Sequence, residues 1–362
     1  MSRSTPLRDV HESLGATLTD FAGWLMPLRY GSESAEHNAV RQAAGLFDLS
    51  HMGEIFLTGP QAGEALDYAL VGHLSAMGHG RARYTMLVDE RGRVLDDLIV
   101  YRLGDEEFMV VANAANAEKV AEELKNRAKA YDVRVEDRSD QYALIAIQGP
   151  RSQEILATLT DADLASLKYY TITPGRVDGR DALIARTGYT GEDGFELIIA
   201  NDDAVPLWNA LTAAGEPHGL KPAGLSSRDT LRLEAGMPLY GNELSAELTP
   251  FDAGMGRVVK FDKPGDFVGR PALEAVKDDP PRRRLTGLVA RGRRVPRHGY
   301  PVTKDGAVVG EVTSGAPSQT LGKPIALAYI DAGVDTEGLA VDIRGKQEPV
   351  DVVELPFYRR NK

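Results

Sequence analysis

Two adjacent carboxylates interrupt an otherwise apolar stretch of the chain, in which Asp96 and Asp97 lie between Val94 and Tyr101. The stretch is predicted to be a β-strand with side chains alternating between two faces, so that Asp97 shares a face with Leu95 and Tyr101. At least one carboxylate must then face a core, a partner or a cavity. An isolated buried carboxylate is costly, and it has to be paired or functional. The alternative, equally compatible with the sequence, is that Asp96 faces solvent and Asp97 caps a neighbouring turn.

A second group of candidate residues lies in a glycine-rich run from Arg186 to Glu196. Its three glycines allow left-handed backbone angles or the close approach of a ligand. Tyr189 adds a flat aromatic ring, and Glu196 adds a carboxylate. A plain hairpin turn explains the glycines alone, but it does not explain the carboxylate on the strand just beyond.

A third candidate, Arg228, lies near the start of a predicted helix that begins at Ser226 and ends at a glycine cap, Gly236. The helix dipole disfavours a cation at that end. The position therefore indicates a reason outside the helix for this residue, either a bound anion or Asp229.

The composition excludes several other kinds of chemistry. The 362 residues contain no cysteine, which rules out disulfides, thiolate metal ligands and a thiol nucleophile. The seven histidines lack metal-binding spacing, so no metal is predicted. Phosphate-binding, dinucleotide-binding and nucleophile-elbow motifs are absent as well. A net charge of -11 argues against nucleic acid as a partner bound through bulk charge.

The sequence also bears on where the protein works. No apolar run approaches the ~18 residues of a membrane span, and the start of the chain lacks the apolar segment of a secretory signal. We therefore expect no membrane partner and a cytoplasmic protein, or a matrix protein after processing.

Two pairs of segments resemble each other, which indicates an internal repeat. Residues 57–66 and 147–156 each contain a strand, a Gly-Pro break and a helix, with the proline expected in the first helical turn. Residues 104–111 and 191–198 each contain an acidic hairpin turn followed by an apolar strand. The chain up to about residue 240 is therefore predicted to form two related α+β modules. A chance likeness of short segments is the alternative.

The C-terminal part of the chain has a different pattern. Residues 277–281 combine charges with two adjacent prolines, as an exposed linker does. Beyond them, short apolar runs separated by glycines predict a small β-barrel. The runs are 285–290, 302–304, 308–312, 325–330, 339–343 and 350–353. We therefore expect two regions, 1–276 and 282–361.

Arginines are concentrated at the start of the second region, against the acidic average of the chain. They are Arg282, Arg283, Arg284, Arg291, Arg293, Arg294 and Arg297. The usual interpretation of such a cluster is a solvated strand face. The functional alternative is docking of an acidic partner or of an acidic ligand tail.

Motifs along nearly the whole chain resemble those of one family, the aminomethyltransferase of the glycine cleavage system. They are FAGWLMP at 21–27, EHNAVR at 36–41, GLFDLSHMG at 45–53, DDLIVY at 96–101, TGYTGE at 187–192 and RDTLRLEAG at 228–236. The resemblance implies an α+β fold in which three domains form a cloverleaf. Two related modules would surround a central folate pocket, and the third domain would be the C-terminal β-barrel.

The resemblance also implies an activity. In that family a one-carbon unit passes from the aminomethyl group on the lipoyl arm of a carrier, the H-protein, to tetrahydrofolate as co-substrate, and ammonia is released. The expected partners are therefore the lipoylated H-protein and folate.

A set of site residues follows from the same resemblance. Asp97 is the predicted catalytic residue, an anion that orients the nucleophile, accepts a proton and stabilises the cationic transferring carbon. Glu196 is assigned to the edge of the pterin, whose adjacent nitrogen donors suit one carboxylate. Arg228 is assigned to a folate carbonyl or carboxylate. The other predicted folate-binding residues are Met52, Tyr84, Tyr101, Asn113, Tyr189 and Tyr358.

One residue departs from the family pattern, and other activities resemble the same fold. Arg93 stands where the family often has a second glycine before the paired aspartates, which leaves the geometry of that turn open. Folate-dependent demethylases and the folate half of sarcosine-type oxidases are alternatives, although the oxidases normally carry a flavin domain that this chain lacks. A non-catalytic folate-binding protein is a further alternative.

Overall fold

Eight α-helices, α1 to α8 in chain order, occur in the computed structural model, which describes residues 2–360. They span Arg8–Ser13, Glu33–Gln42, Ala62–Ala69, Ala117–Arg127, Ser152–Leu156, Ala204–Gly215, Leu225–Glu234 and Arg270–Val276. Short 3-10 helices lie at Ala128–Ala130, Asn201–Asp203, Glu216–His218 and Gly256–Val258. Within residues 2–360, no helix is both long and apolar enough to cross a membrane.

Fourteen strands, β1 to β14, precede the barrel in the described part of the chain. They span Arg3–Ser4, Thr17–Phe21, Trp24–Arg29, Gly45–Asp48, Gly53–Thr58, Ala82–Val88, Val94–Arg102, Glu107–Ala112, Arg134–Asp137, Tyr142–Gln148, Ile172–Val177, Arg180–Ala185, Gly194–Ala200 and Lys221–Pro222. The first three form a small sheet in the order β1-β3-β2. The others form a five-stranded sheet, β6-β7-β8-β5-β9, and a six-stranded sheet, β11-β12-β13-β10-β4-β14.

The two larger sheets confirm the predicted pair of related modules. The strands β6-β7-β8-β5 and β11-β12-β13-β10 follow one another in the same way, and all of these pairs are antiparallel. At equivalent turns, Gly59 (φ 142°) and Gly149 (φ 137°) have nearly the same backbone conformation. Their N–H groups donate to equivalent carbonyls, of Glu106 at 2.9 Å and of Asp193 at 2.7 Å. The likeness in the sequence therefore reflects one structural unit used twice.

The prolines of these two turns lie outside the helices. Pro60 and Pro150 follow the glycines, whereas α3 and α5 begin only at Ala62 and Ser152. The N–H groups of Ala62 and Ser152 each donate to the glycine carbonyl three residues earlier, at 3.0 Å in both turns. Proline thus occupies the second position of a β-turn, which its fixed φ suits. The prediction that it belongs to the first helical turn is wrong.

The two larger sheets face each other across a common apolar layer. Phe56 and Met109 of the first sheet pack there with Phe47 and Leu144 of the second. Burying side chains of this kind stabilises the fold by ~1.5–3 kcal/mol each. The outer faces are covered by helices, α3 and α4 on the first sheet and α5 and α6 on the second. Because the common layer also contains Tyr101, it continues into the predicted site.

Six strands after residue 282, β15 to β20, form a closed barrel in the order β15-β18-β17-β16-β19-β20. They span Arg283–Ala290, Pro301–Lys304, Ala307–Ser318, Lys323–Asp331, Ala340–Ile343 and Lys346–Val353. Each predicted apolar run overlaps one of these strands, which confirms the β-barrel. Leu233 of α7 packs against Leu327 of β18, so the barrel rests on the last long helix of the modules.

The arginines at the start of the barrel lie on its surface, and several are paired with acids. The pairs are Arg283 with Asp331 at 2.9 Å, Arg291 with Asp351 at 2.7 Å and Arg294 with Glu348 at 3.3 Å. These three favour the interpretation of a solvated strand face. Arg282, Arg284 and Arg293 are exposed and form no ion pair with another residue of 2–360. Docking of an acidic partner on this cluster stays a prediction.

Candidate active site

The two adjacent aspartates lie on β7, directly after an irregularity in its pairing. Val94 pairs with Val88 and Asp96 with Leu87, so that Leu95 is an extra residue in the strand. Leu95 consequently packs with Leu98 in the core of the first module. The expected face shared by Leu95 and Asp97 is therefore wrong, because a β-bulge reverses the alternation at one residue. Beyond the bulge the prediction is correct, since Ile99 and Tyr101 contact the layer between the sheets.

The turn before this strand accommodates Arg93 without a second glycine. The backbone N–H of Asp89 donates to the Arg93 carbonyl at 2.9 Å, and the Arg93 N–H donates to the Asp89 carboxylate at 2.8 Å. The left-handed position belongs to Gly92, with φ 74°. The Arg93 guanidinium donates to the carbonyl of Glu247 at 2.5 Å. Because one glycine suffices for the turn, arginine is tolerated at the next position.

Asp97 is held by two neutral donors. The Tyr84 hydroxyl on β6 donates to Oδ2 at 3.0 Å, and the Asn113 amide, just after β8, donates to Oδ1 at 2.8 Å. Burial raises the pKa of the Asp97 carboxyl, and these two hydrogen bonds act in the opposite direction. The arrangement holds a carboxylate in a fixed orientation without a cation to neutralise it.

Asp96 is fully buried, with 0% of its surface exposed. Its carboxylate accepts from the Asn113 backbone N–H at 3.1 Å, from the Asn113 amide at 2.9 Å and from the Asn116 amide at 2.7 Å. Burial, and then the charge of Asp97, raise the pKa of Asp96 to about 7. The alternative in which Asp96 faces solvent is therefore wrong.

A second carboxylate, Glu196 on β13, is held by hydroxyl groups. Tyr101 on β7 donates to its Oε2 at 3.3 Å, and the Thr187 hydroxyl donates to the same oxygen at 2.5 Å. Among residues 2–360, no donor contacts Oε1 of Glu196. Tyr101 itself is 1% exposed, so its role here is to orient the carboxylate from beneath.

Arg228 lies against the ring of Tyr189. Its guanidinium carbon is 4.9 Å from the ring centroid, within the range of a cation–π contact. Burial lowers the pKa of Arg228, and the charge of Glu196 opposes this shift. Asp229 pairs instead with Arg232 at 2.7 Å, so Asp229 is not the partner of Arg228. No other residue of 2–360 forms a hydrogen bond or ion pair with the Arg228 guanidinium, which leaves it available to an anion.

Tyr170, which the sequence did not single out, lies near enough to both carboxylates for their charges to act on its phenol. Burial raises the pKa of its phenol, and the charges of Glu196 and Asp97 add to the effect. Its backbone is left-handed, with φ 62°. Its carbonyl accepts from the Ala82 N–H at 2.9 Å, which ties it to the start of β6. The only signal in the sequence was the tyrosine pair at 169–170, which belongs to no recognised motif.

Two other residues of the site region were also missed. Thr187 belongs to the TGYTGE motif, which by itself indicates no role for this hydroxyl, although the hydroxyl donates to Glu196. His51 is buried, and its pKa is lowered to about 4, mainly by burial and also by the charge of Arg228. The neutral imidazole has an unpartnered Nδ1. Both residues became recognisable only from their neighbours in space.

The structure brings seven of the nine predicted site residues into this region. They are Tyr84, Asp97, Tyr101, Asn113, Tyr189, Glu196 and Arg228. Met52 is half-buried and packs against the layer between the sheets, which also contains Tyr101. Tyr358 contacts a different group, because its ring lies 4.1 Å from the Arg41 guanidinium and its N–H donates to the Glu234 carbonyl at 2.8 Å.

Two further observations concern the surroundings of the site. Within residues 2–360, no group of three or more histidine, aspartate or glutamate side chains is arranged to hold a metal ion. A separate surface cleft lies between His79 and the 161–176 segment, and it includes none of the predicted site residues.

Comparisons with known proteins agree over the whole chain. A family model described as the GCVT N-terminal domain matches residues 7–263, and one described as the glycine cleavage T-protein C-terminal barrel domain matches residues 283–359. An aminomethyltransferase of Streptomyces coelicolor is 65% identical, over 99% of this chain and 98% of the relative. One of Bacillus subtilis is 44% identical, over 99% and 100%.

A solved structure agrees as well. The glycine cleavage system aminomethyltransferase T of Bartonella henselae has a TM-score of 0.93 and 35% identity, and the match covers 100% of both chains. This chain therefore belongs to the aminomethyltransferase (T-protein) family of the glycine cleavage system, as the two family models, the full-length relatives and the solved structure with the same fold all show.

Proposed function

We propose that this chain binds tetrahydrofolate between its two modules and transfers to it the one-carbon unit of an aminomethyl group carried on the lipoyl arm of H-protein. The products are methylene-tetrahydrofolate, ammonia and the lipoyl arm in its reduced, dithiol form. The observation that carries the proposal is Asp97, a carboxylate fixed by Tyr84 and Asn113 in the same region as Glu196 and Arg228.

The polar groups of the site suit a folate. One oxygen of Glu196 accepts from Tyr101 and Thr187, and the second oxygen meets no donor of residues 2–360. The second oxygen can therefore accept from the nitrogen-rich edge of a pterin. Tyr189 offers an aromatic surface for a flat ring. Arg228 can donate to a folate carbonyl or carboxylate. We assign Met52 to an apolar wall of the pocket.

Asp97 is the group we propose to act on the reacting atoms. Tetrahydrofolate supplies the nitrogen nucleophiles when it is bound. The Asp97 carboxylate orients the nucleophile, accepts a proton from it and stabilises positive charge on the transferring carbon. Tyr84 and Asn113 keep its two oxygens in place, which lowers the entropy lost at the moment of reaction.

Tyr358 is proposed to act at the edge of the site. Its backbone joins the C-terminal segment to Glu234, the last residue of α7, and α7 also carries Arg228. Its ring lies 4.1 Å from the Arg41 guanidinium, and from this position we propose that it touches the substrate.

We also infer that the exposed segment 277–281 separates a folate-binding region, 1–276, from a barrel region, 282–361. Adjacent prolines and charged residues in this segment support the division. A cytoplasmic location stays a prediction from the sequence.

The direct test supplies aminomethylated, lipoylated H-protein and tetrahydrofolate to the purified protein. We expect ammonia and methylene-tetrahydrofolate to form in equal amounts, and calorimetry to detect saturable binding of tetrahydrofolate alone. Binding without turnover would contradict the proposed enzymatic activity and favour a non-catalytic folate-binding protein. Turnover of a methylated small amine in place of the carrier would favour a demethylase.

A further inference from the structure

We propose that Asp96 is a positioning residue for the reaction: it fixes the Asn113 amide and sets the electrostatic environment of Asp97. This inference rests on the proposed function, in which Asp97 touches the substrate. Asp96 itself is covered by protein on every side and does not contact the substrate.

The first support is the number of donors that converge on Asp96. The side chain is fully buried, yet three N–H groups from two asparagines meet its carboxylate, at 2.7 to 3.1 Å. Asn113 contributes both its backbone N–H and its side-chain amide. A buried carboxylate that accepts several N–H groups orders the segment that supplies them, because leaving it unpaired would be costly.

The second support is the position of the Asn113 amide between the two acids. Its Nδ2 is 2.9 Å from Oδ1 of Asp96 and 2.8 Å from Oδ1 of Asp97. An amide nitrogen carries two hydrogens, so one can go to each carboxylate. The two acids are therefore linked through a single group, and a change at Asp96 reaches Asp97 through Asn113.

The third support is the lack of other charges around the pair. Four phenols face it, those of Tyr84, Tyr170, Tyr189 and Tyr240, and burial raises the pKa of each, so that they stay neutral near neutral pH. No lysine, arginine or histidine of residues 2–360 forms an ion pair with either aspartate. The charge of Asp97 therefore acts on Asp96, whose pKa burial and Asp97 together raise to about 7, and the two acids titrate as a coupled pair.

The test compares the pH dependence of kcat/KM for Asp96→Asn, Asn116→Ala and Asn126→Ala with that of the wild type. Asp96 ionises near pH 7, beside an Asp97 that is already charged, so the wild-type profile should have a step near pH 7 that is absent in Asp96→Asn. The new amide also points a donor at the donors of Asn113, and kcat should fall about tenfold or more. Asn116→Ala removes a donor that lowers the pKa of Asp96, so the step should move to higher pH.

Asn126→Ala is the matched control, since Asn126 is exposed on α4 and makes no side-chain hydrogen bond within residues 2–360. A step near pH 7 that stays at its wild-type position in both Asp96→Asn and Asn116→Ala would overturn the inference, as would a step that moves equally in the control. If Asp96→Asn does not fold, Asn116→Ala alone decides. Asp97→Asn is assayed alongside. Full turnover in that variant would refute the proposed function. Loss of its turnover, with the step near pH 7 unmoved in Asp96→Asn and Asn116→Ala, would refute only the role of Asp96.

Discussion

Each acid of the candidate site is held by phenol, hydroxyl or amide donors rather than by a cation. Asp97 accepts from Tyr84 and Asn113, and Glu196 accepts from Tyr101 and Thr187. Such donors orient a carboxylate but leave its charge uncompensated. The charge remains available to a cationic group that enters the site, which is the property that transfer of an aminomethyl carbon requires.

Replacing Asp97 by asparagine tests this property at one residue. Asp97→Asn keeps the size of the side chain and removes its charge, so turnover should fall by roughly a hundredfold or more while tetrahydrofolate still binds. Burial raises the pKa of Asp97, so wild-type activity should be lost as the pH falls through that pKa. Steady-state assays across pH check both results. Asp181→Asn, at a side chain 97% exposed, is the control and should leave turnover unchanged.

Glu54 allows a prediction about stability. It is 0% exposed, neither carboxylate oxygen has a hydrogen-bond partner among residues 2–360, and burial raises its pKa well above 4.5. A group whose pKa is raised in the folded state favours folding at pH values below its pKa in the unfolded chain, which is 4.5 for Glu54. This contribution is lost as the pH rises. Relative to Glu54→Gln, the wild type should lose up to about 1.4 kcal/mol of unfolding free energy for each pH unit above the unfolded-state pKa of Glu54.

Denaturant unfolding at pH 5 and pH 8 measures this difference. The exposed Glu118→Gln, whose side chain is 89% accessible, serves as the control and should follow the wild type. Parallel pH dependence in wild type and Glu54→Gln would contradict a protonated Glu54 in the folded protein.

At the scale of elements, the segment from Thr187 to Gly194 depends on one buried amide. Gln148, 1% exposed at the end of β10, donates to the Thr187 carbonyl at 3.0 Å and accepts from the Thr190 hydroxyl at 2.9 Å. A methyl group added at either Gly188 or Gly194 would collide with this amide. Gly188 and Gly194 therefore serve the close approach of Gln148, and this support positions Tyr189.

Gly188→Ala tests the dependence. The added carbon displaces Gln148, so we expect a loss of ~1–3 kcal/mol in unfolding free energy, as overpacking usually causes. The dissociation constant for tetrahydrofolate should rise about tenfold, because Tyr189 moves with the segment. Calorimetry and thermal unfolding measure the two effects. Gly104→Ala, where a methyl group meets only the Glu107 side chain at 3.7 Å, is the matched control. Wild-type affinity in Gly188→Ala would refute the link.

At the scale of the whole molecule, one buried acid joins the modules to the barrel. Glu234 ends α7 and accepts from Arg41 of α2 at 2.7 Å. From the barrel it accepts the hydroxyls of Ser318 at 2.6 Å and Thr320 at 2.8 Å. Burial opposes ionisation, but hydrogen bonds and charges, led by His37, lower the pKa of Glu234 to about 2.

Glu234→Gln should therefore destabilise the protein by about 1.5–3 kcal/mol at neutral pH, because it removes one of the two buried acids that pair with Arg41, the other being Glu192. The depressed pKa means that the wild-type advantage is present above the unfolded value of 4.5 and disappears as the pH falls toward 2. Unfolding measured at pH 7 and pH 4 tests this sign. Glu311→Gln, exposed on β17, provides the control. An equal difference at both pH values would contradict an ionised Glu234.

The exposed arginines of the barrel carry the remaining prediction. Arg284→Glu with Arg293→Glu should weaken association with the carrier, and the loss should shrink at high salt if an acidic partner docks there. Titration of lipoylated H-protein at two ionic strengths measures the effect, with Lys129→Glu as a reversal elsewhere on the surface. Unchanged carrier affinity would leave the cluster as a solvated strand face.

The sequence by itself determined the repeat and the barrel, and it predicted most of the residues that the structure brings together in the candidate site. Short apolar runs separated by glycines predicted the strands of the barrel. Gly59 and Gly149 marked equivalent turns of the repeat, because each turn needs a backbone conformation that glycine adopts readily. The paired aspartates could be singled out because a carboxylate within an apolar strand needs a partner.

Only the tertiary structure decided how these residues meet. The bulge at Leu95 depends on pairing with β6, and the burial of Asp96 depends on donors more than fifteen residues away along the chain. Tyr170 and Thr187 enter the site through contacts between the two modules, which leave no periodic signal in the sequence. Local patterns report the interactions of near neighbours along the chain, whereas hydrogen bonds and charges at a site are set by groups that folding alone brings together.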